Sequence, residues 1–117
     1  MSKYSMNCAT NVILWKYGKY GVLEMSKFNL GAVVMTCTIN DVVADSEVVA
    51  REVMTALKRY AACDWGDLGR ADKKMNDTAV ATGNDRIVAA YKTSAGKLYI
   101  ITEWDRSYTT VMFSDEY

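Results

Sequence analysis

The sequence predicts a single α+β domain in which helices lie across one face of a mostly antiparallel sheet. Three observations carry that expectation. A run rich in β-branched residues, Ala32-Val33-Val34-Met35-Thr36-Cys37-Thr38-Ile39, follows Gly31. Beyond it Val49, Val53, Leu57 and Tyr60 recur at helical spacing. The last third holds three strand-like stretches, 86–93, 97–104 and 108–113, whose connections are short enough for tight hairpins.

The elements follow in chain order. Val12-Ile13-Leu14-Trp15 is a short apolar run, and Val22-Leu23 is a second beyond Lys16-Tyr17-Gly18-Lys19-Tyr20-Gly21. Two short strands around a glycine-containing turn fit this pattern. An alternative is that Met25 is the natural start and the preceding residues are upstream sequence. The run 32–39 reads as a strand, punctuated by Asn40-Asp41. Ser46 can cap a helix with Glu47 in its first turn, and that helix is expected to end near Cys63. Asp64-Trp65-Gly66-Asp67-Leu68-Gly69 is a loop by composition. A polar helix then covers 70–82, with Gly83 as its stop. The resulting order is β-α-α-β-β-β with room for an extra N-terminal hairpin. Residues 1–28 form an extension or hairpin, and 29–117 the domain.

Composition narrows the function. The chain has 117 residues, enough for one domain with a real core, and 14 basic residues balance 14 acidic ones. A neutral total argues against a protein that coats duplex DNA, whose affinity comes from neutralising phosphates. The charge is uneven: Lys3, Lys16, Lys19 and Lys27 face only Glu24 in the first 28 residues, whereas 29–68 is net acidic. The three cysteines, Cys8, Cys37 and Cys63, are odd in number and form no C-x-x-C pair, as fits a reducing cytosol. No apolar run reaches the ~18 residues that span a bilayer, and no signal-peptide pattern opens the chain. The expected location is the cytoplasm of the cell that makes it.

Histidine is absent. Ser–His and Cys–His nucleophile couples and imidazole metal ligands are therefore unavailable, and no catalytic residue, metal or cofactor is expected. Asp64 and Asp67 could hold a divalent ion through oxygen. The plainer reading makes Asp67 a helix cap and Trp65 a core plug. Glu103 and Asp105 flank the last hairpin, where Arg106 is expected to pair with one of them. Cys63 reads as a structural thiol with no base beside it. Trp15, Lys16, Tyr17, Lys19 and Tyr20 combine aromatic and basic groups as a nucleic-acid surface would, and equally as an exposed hairpin edge would. A second group, Arg86, Thr102, Arg106, Thr109 and Thr110, could converge near strand ends on a small anionic ligand, with Trp65 or Trp104 stacking a base. Solvated strand faces look the same in sequence.

From Gly31 onward the chain resembles a widespread family of small proteins of phages, plasmids and integrative elements, mostly of Firmicutes. The resemblance is carried by Gly31-Ala32-Val33-Val34-Met35-Thr36, by Asp64-Trp65-Gly66-Asp67-Leu68 with Asp72 and Asn76, by Asp85-Arg86, and by Ile100-Ile101-Thr102-Glu103-Trp104-Asp105-Arg106-Ser107. Thr109-Thr110-Val111, Phe113 and Asp115-Glu116-Tyr117 extend it. Tyr60 and Cys63 depart from it, at positions where relatives often carry histidine and glycine. Relatives are sometimes labelled a methylase subunit, but this chain has no proline and so no N/D-P-P-Y/F element. The resemblance implies accessory genes on mobile elements, which frequently encode inhibitors of CRISPR, restriction or nucleotide-signalling defences. The expectation is a non-catalytic inhibitor of bacterial immunity that binds a host defence protein, such as a CRISPR effector, or its nucleotide-derived signal, as a homo-oligomer in the sequestering case. The alternative is a small nucleic-acid-binding regulatory protein.

Overall fold

The computed structural model describes the backbone of residues 4–7 and 12–15 and the whole of residues 26–117. Strands β1 (Tyr4–Asn7), β2 (Val12–Trp15) and β3 (Ala32–Thr36) are followed by helices α1 (Cys37–Asp45), α2 (Glu47–Ala61) and α3 (Arg70–Thr82). Strands β4 (Ile87–Thr93), β5 (Gly96–Thr102) and β6 (Tyr108–Phe113) complete the sheet, and a 3-10 turn occupies Ser114–Glu116. The strands lie in the order β1-β2-β3-β6-β5-β4. Only β3 and β6 run parallel, with Ala32 opposite Tyr108; the other described pairs are antiparallel. Val22-Leu23, the second expected strand of the N-terminal hairpin, lies outside the described residues.

The expected α+β order holds, with one correction. The strand ends at Thr36 rather than Ile39, and a third helix follows at once. Thr36 takes extended backbone and its Oγ1 accepts from Ile39 N at 3.2 Å, an N-cap that turns the chain into α1 against the β preference of its residues. Ile39, Val42 and Val43 then fall on one helical stripe against the core. Ser46 closes α1 through its N–H to Val42 and opens α2 through its hydroxyl, which accepts from Val49 N at 3.3 Å. One extended residue thus serves two helices. Glu47 in the first turn of α2 and Lys58 and Arg59 in its last suit the helix dipole.

Strand alternation sorts the sheet into two faces. One face presents Val33 and Met35, Val111 and Phe113, Leu98 and Ile100, and Ile87, Ala89 and Tyr91 to a core closed by Ile39, Val49, Val53, Leu57 and Tyr60 of α1 and α2. Trp65 joins it, 2% exposed, in an aromatic group with Phe28 and Tyr60 at centroid distances of 5.9 and 5.4 Å. The other face carries Val88, Ala90, Lys97 and Tyr99. Helix α3 stands at the β4 edge, ended by Gly83 in left-handed backbone (φ 74).

That edge is covered by polar groups rather than by another strand. Asp67 N donates to Ala90 O at 2.8 Å, and the Asn76 side chain both donates to Val88 O (2.9 Å) and accepts from Val88 N (3.4 Å). Unpaired strand groups would otherwise template association. Close approach of the loop requires Gly66, at φ 73, where an added Cβ would lie 2.1 Å from Ala90 O. Gly66→Ala is therefore expected to cost about 3 kcal/mol or more. Gly69→Ala, with open space around it, should cost below about 1 kcal/mol. Urea denaturation of the two variants checks the contrast.

Candidate functional site

The polar residues expected to converge on a ligand do not share one surface. Thr102 and Thr109 are fully buried in the core. The Tyr60 hydroxyl and Thr102 Oγ1 lie 2.7 Å apart, Thr102 and Thr109 Oγ1 another 2.7 Å, and Thr109 Oγ1 donates to Leu30 O at 2.6 Å. One proton per hydroxyl orders the row: Thr109 gives its proton to Leu30 O, so Thr102 donates to Thr109 and Tyr60, whose hydroxyl also lies 3.3 Å from Ile87 O, donates to the nearer Thr102. Burial pushes the Tyr60 phenol far above its ordinary pKa, so it stays neutral. Thr110 is buried on β6, and Trp65 Nε1 donates to Asp77 Oδ1 at 2.8 Å. Trp104 stands apart, 66% exposed on the β5–β6 connection.

Arg106 pairs with neither Glu103 nor Asp105, contrary to expectation. Its Nη1 donates to the carbonyls of Asp85 (2.7 Å), Trp104 (3.1 Å) and Glu103 (3.2 Å), and its Nη2 to those of Ala79 (2.9 Å) and Asn84 (3.4 Å). The carbonyls of Asn84, Asp85 and Trp104 gain a donor here, while Ala79 O also accepts from Gly83 N and Glu103 O from Arg106 N; this convergence outcompetes carboxylates that water can solvate. Asp105 instead accepts from Ser107 N at 3.0 Å within its turn.

The Asp64/Asp67 pair is likewise absorbed by the fold. Asp64 accepts from Arg59 Nε at 2.8 Å and Nη2 at 3.2 Å, and this hydrogen-bonded guanidinium holds its carboxyl below the usual range. Arg59 also lies 5.1 Å from the Tyr91 ring centroid, and Tyr91 donates to Asp64 O at 2.7 Å. Asp67 does not cap α3: its N-cap is Gly69, which offers no side chain. No group of three or more metal-ligating side chains gathers among the described residues. Cys63 is half-buried, and desolvation pushes its thiol up. It sits at φ 65, backbone that glycine adopts without strain. Of the Trp15–Tyr20 cluster, Lys16 to Tyr20 lie outside the described residues.

Of the seven expected ligand residues, Arg86 lines a groove among the described residues. A groove of about 810 Å³ runs between α3 and the sheet face away from α1 and α2. Val88, Ala90, Lys97 and Tyr99 form its floor, Ala71, Asp72, Lys74, Met75 and Thr78 its helical wall, and Asp85, Arg86 and Tyr117 its end. Met75 and Tyr117 are 68% and 64% exposed, unusual for apolar side chains this large.

The groove floor has internal order. Lys97 Nζ lies 5.7 Å from the Tyr99 ring centroid, Tyr99 meets Tyr117 edge-on at 5.6 Å, and the Arg86 guanidinium lies 5.6 Å from the Tyr117 ring and donates to its hydroxyl. Tyr117 is positioned by the 3-10 turn before it. There Glu116 Oε1 accepts from Phe113 N (2.9 Å) and from Thr36 Oγ1 (3.0 Å), the same hydroxyl that caps α1. Sequence reading missed Tyr99, Lys97 and Met75 as site residues. Lys97 and Tyr99 share one face of β5 by alternation, a signal available in sequence, whereas nothing local places Tyr117 beside them.

No family model matches the chain, and no curated protein or solved structure is similar to it at a significant level. No helix among the described residues is long and apolar enough to cross a membrane.

Two predictions concern the residues absorbed by the fold. Arg106→Ala should lower unfolding free energy by about 3 kcal/mol, with Arg106→Lys recovering little because an ammonium cannot span the same carbonyls. Tyr60→Phe, which removes a hydroxyl from a buried row, should cost about 1–2 kcal/mol. Thermal and urea denaturation measure both.

Proposed function

We propose that this protein is a non-catalytic phage or mobile-element product that counters bacterial immunity by sequestering a nucleotide-derived signal in the host cytoplasm. The observation that carries this reading is the groove, a concave site with an aromatic floor and cations at its edge. Small-molecule sites typically occupy ~300–1,000 Å³ and combine mostly apolar walls with a few placed polar groups. Lys74, Arg86 and Lys97 line it together with Asp72 and Asp85, a balance of one positive charge among these side chains. Arginine can grip a phosphate with two parallel hydrogen bonds, and tyrosine rings can stack a base.

The chemistry of the chain favours holding over converting. It has no histidine, and the Cys63 thiol is pushed toward its unreactive protonated form. The setting, mobile-element accessory proteins, comes from the sequence resemblance. Occlusion of a defence protein is the second reading. The acidic stretch 29–68 invited it, but three of its six carboxylates are engaged within the fold: Glu47 pairs with Arg51, Asp64 with Arg59, and Glu52 accepts from Ser94 N at 3.0 Å.

The deciding experiment is phage plating on a host that carries a nucleotide-signalled defence system, with native mass spectrometry of the protein recovered from it. Wild type should restore plaques and carry a nucleotide-sized mass, and Arg86→Ala should lose both. Restored plaques with a large host protein bound instead, undisturbed by Arg86→Ala, would replace sequestration by occlusion.

A further inference from the structure

Resting on the sequestration reading, we infer that the groove is built for a dinucleotide, linear or cyclic, with two phosphate positions flanking a stacking surface. Lys97 on the floor and Arg86 at the end of the groove arrive from opposite ends of the β4–β5 hairpin. Arg86 immediately precedes Ile87, which pairs with Thr102, whereas Lys97 follows Gly96, which pairs with Thr93 beside the hairpin turn. Between them stand Tyr99 and Tyr117, each ring taking one cation, and the rings meet edge-on. One phosphate held at Arg86 leaves Lys97 unused, and the reverse. A ligand that satisfies both ends must carry two anionic groups separated by a planar unit that can lie on the rings. Two phosphates alternating with two nucleosides have that form.

Size and charge agree. A volume of about 810 Å³ lies toward the upper end of the small-molecule range and leaves room for a dinucleotide. The groove is not a continuous basic track of the kind that holds long single strands. Asp72 on the helical wall repels a continuous phosphate backbone, and Asp85 beside Arg86 offers an acceptor to a base amino group. Arg86 already donates to the Tyr117 hydroxyl, so a phosphate arriving there exchanges that neutral acceptor for an anionic one, a stronger partner.

The test is isothermal titration of the full chain with cyclic di-GMP, cyclic di-AMP, linear pGpG, GMP, AMP and a twelve-nucleotide single strand. A dinucleotide should bind at least about a hundredfold tighter than the mononucleotide of the same base, because its second contact is intramolecular. Arg86→Ala and Lys97→Ala should each weaken it roughly tenfold or more. Both side chains reach the groove from the surface, and circular dichroism establishes that the variants fold. Equal affinity for mono- and dinucleotide, tightest binding of the long strand, a dinucleotide indifferent to both substitutions, or binding of none of the six overturns the inference. Plaque restoration separates the two proposals. A protein that restores plaques without binding dinucleotides keeps its anti-immune role and loses this ligand, and one that binds them without restoring plaques does the reverse.

Discussion

The fold turns on one guanidinium. Arg106 gathers five backbone carbonyls from the last turn of α3, the loop that leads into β4, and its own β5–β6 turn. Those of Asn84, Asp85 and Trp104 find their donor there, and those of Ala79 and Glu103 add it to the N–H groups of Gly83 and Arg106. The residue sits at φ 61, and Gly31, at φ 64, packs so closely beneath it that a Cβ there would lie 2.4 Å from Arg106 O. Left-handed backbone at a bulky residue persists only where its surroundings over-determine it. This convergence, with Asn76 on Val88 and Trp65 on Asp77, holds α3 against the sheet and so bears on the width of the groove.

Much of the fold was legible because it rests on periodicity. Val49, Val53, Leu57 and Tyr60 are all buried as their spacing required, α3 spans the expected residues to the stop at Gly83, and the three late strands fall within a residue or two of their expected bounds. Helix α1 was not read, because Cys37, Thr38 and Ile39 favour strand and Asn40-Asp41 imitates a turn. The stripe of Ile39, Val42 and Val43 was the competing signal, and the Thr36 cap decides in its favour.

The candidate site was far less legible, for a physical reason. Threonines on strands look alike in sequence whether they face solvent or core. Thr102 and Thr109 face the core because a row of hydroxyls from Tyr60 to Leu30 O lets them be buried without loss of hydrogen bonds. Arginines are equally ambiguous: Arg106 became part of the scaffold and Arg86 part of the groove. What separates them is tertiary, since Arg106 lies where carbonyls converge and Arg86 where Tyr117 folds back over β5. That fold-back depends on Glu116 finding Thr36 across most of the chain, which no local pattern announces.

The parallel pairing of β3 with β6 has a consequence for synthesis on the ribosome. Strand β3 emerges early, but its partner β6 is made only after three helices and two further strands. Through that interval β3 would present a bare, β-branched edge to other nascent chains. Its opposite edge pairs with β2, which has already left the exit tunnel. The N-terminal strands can therefore shelter half of β3 while the remainder of the sheet is translated, leaving one side open for β6 to close.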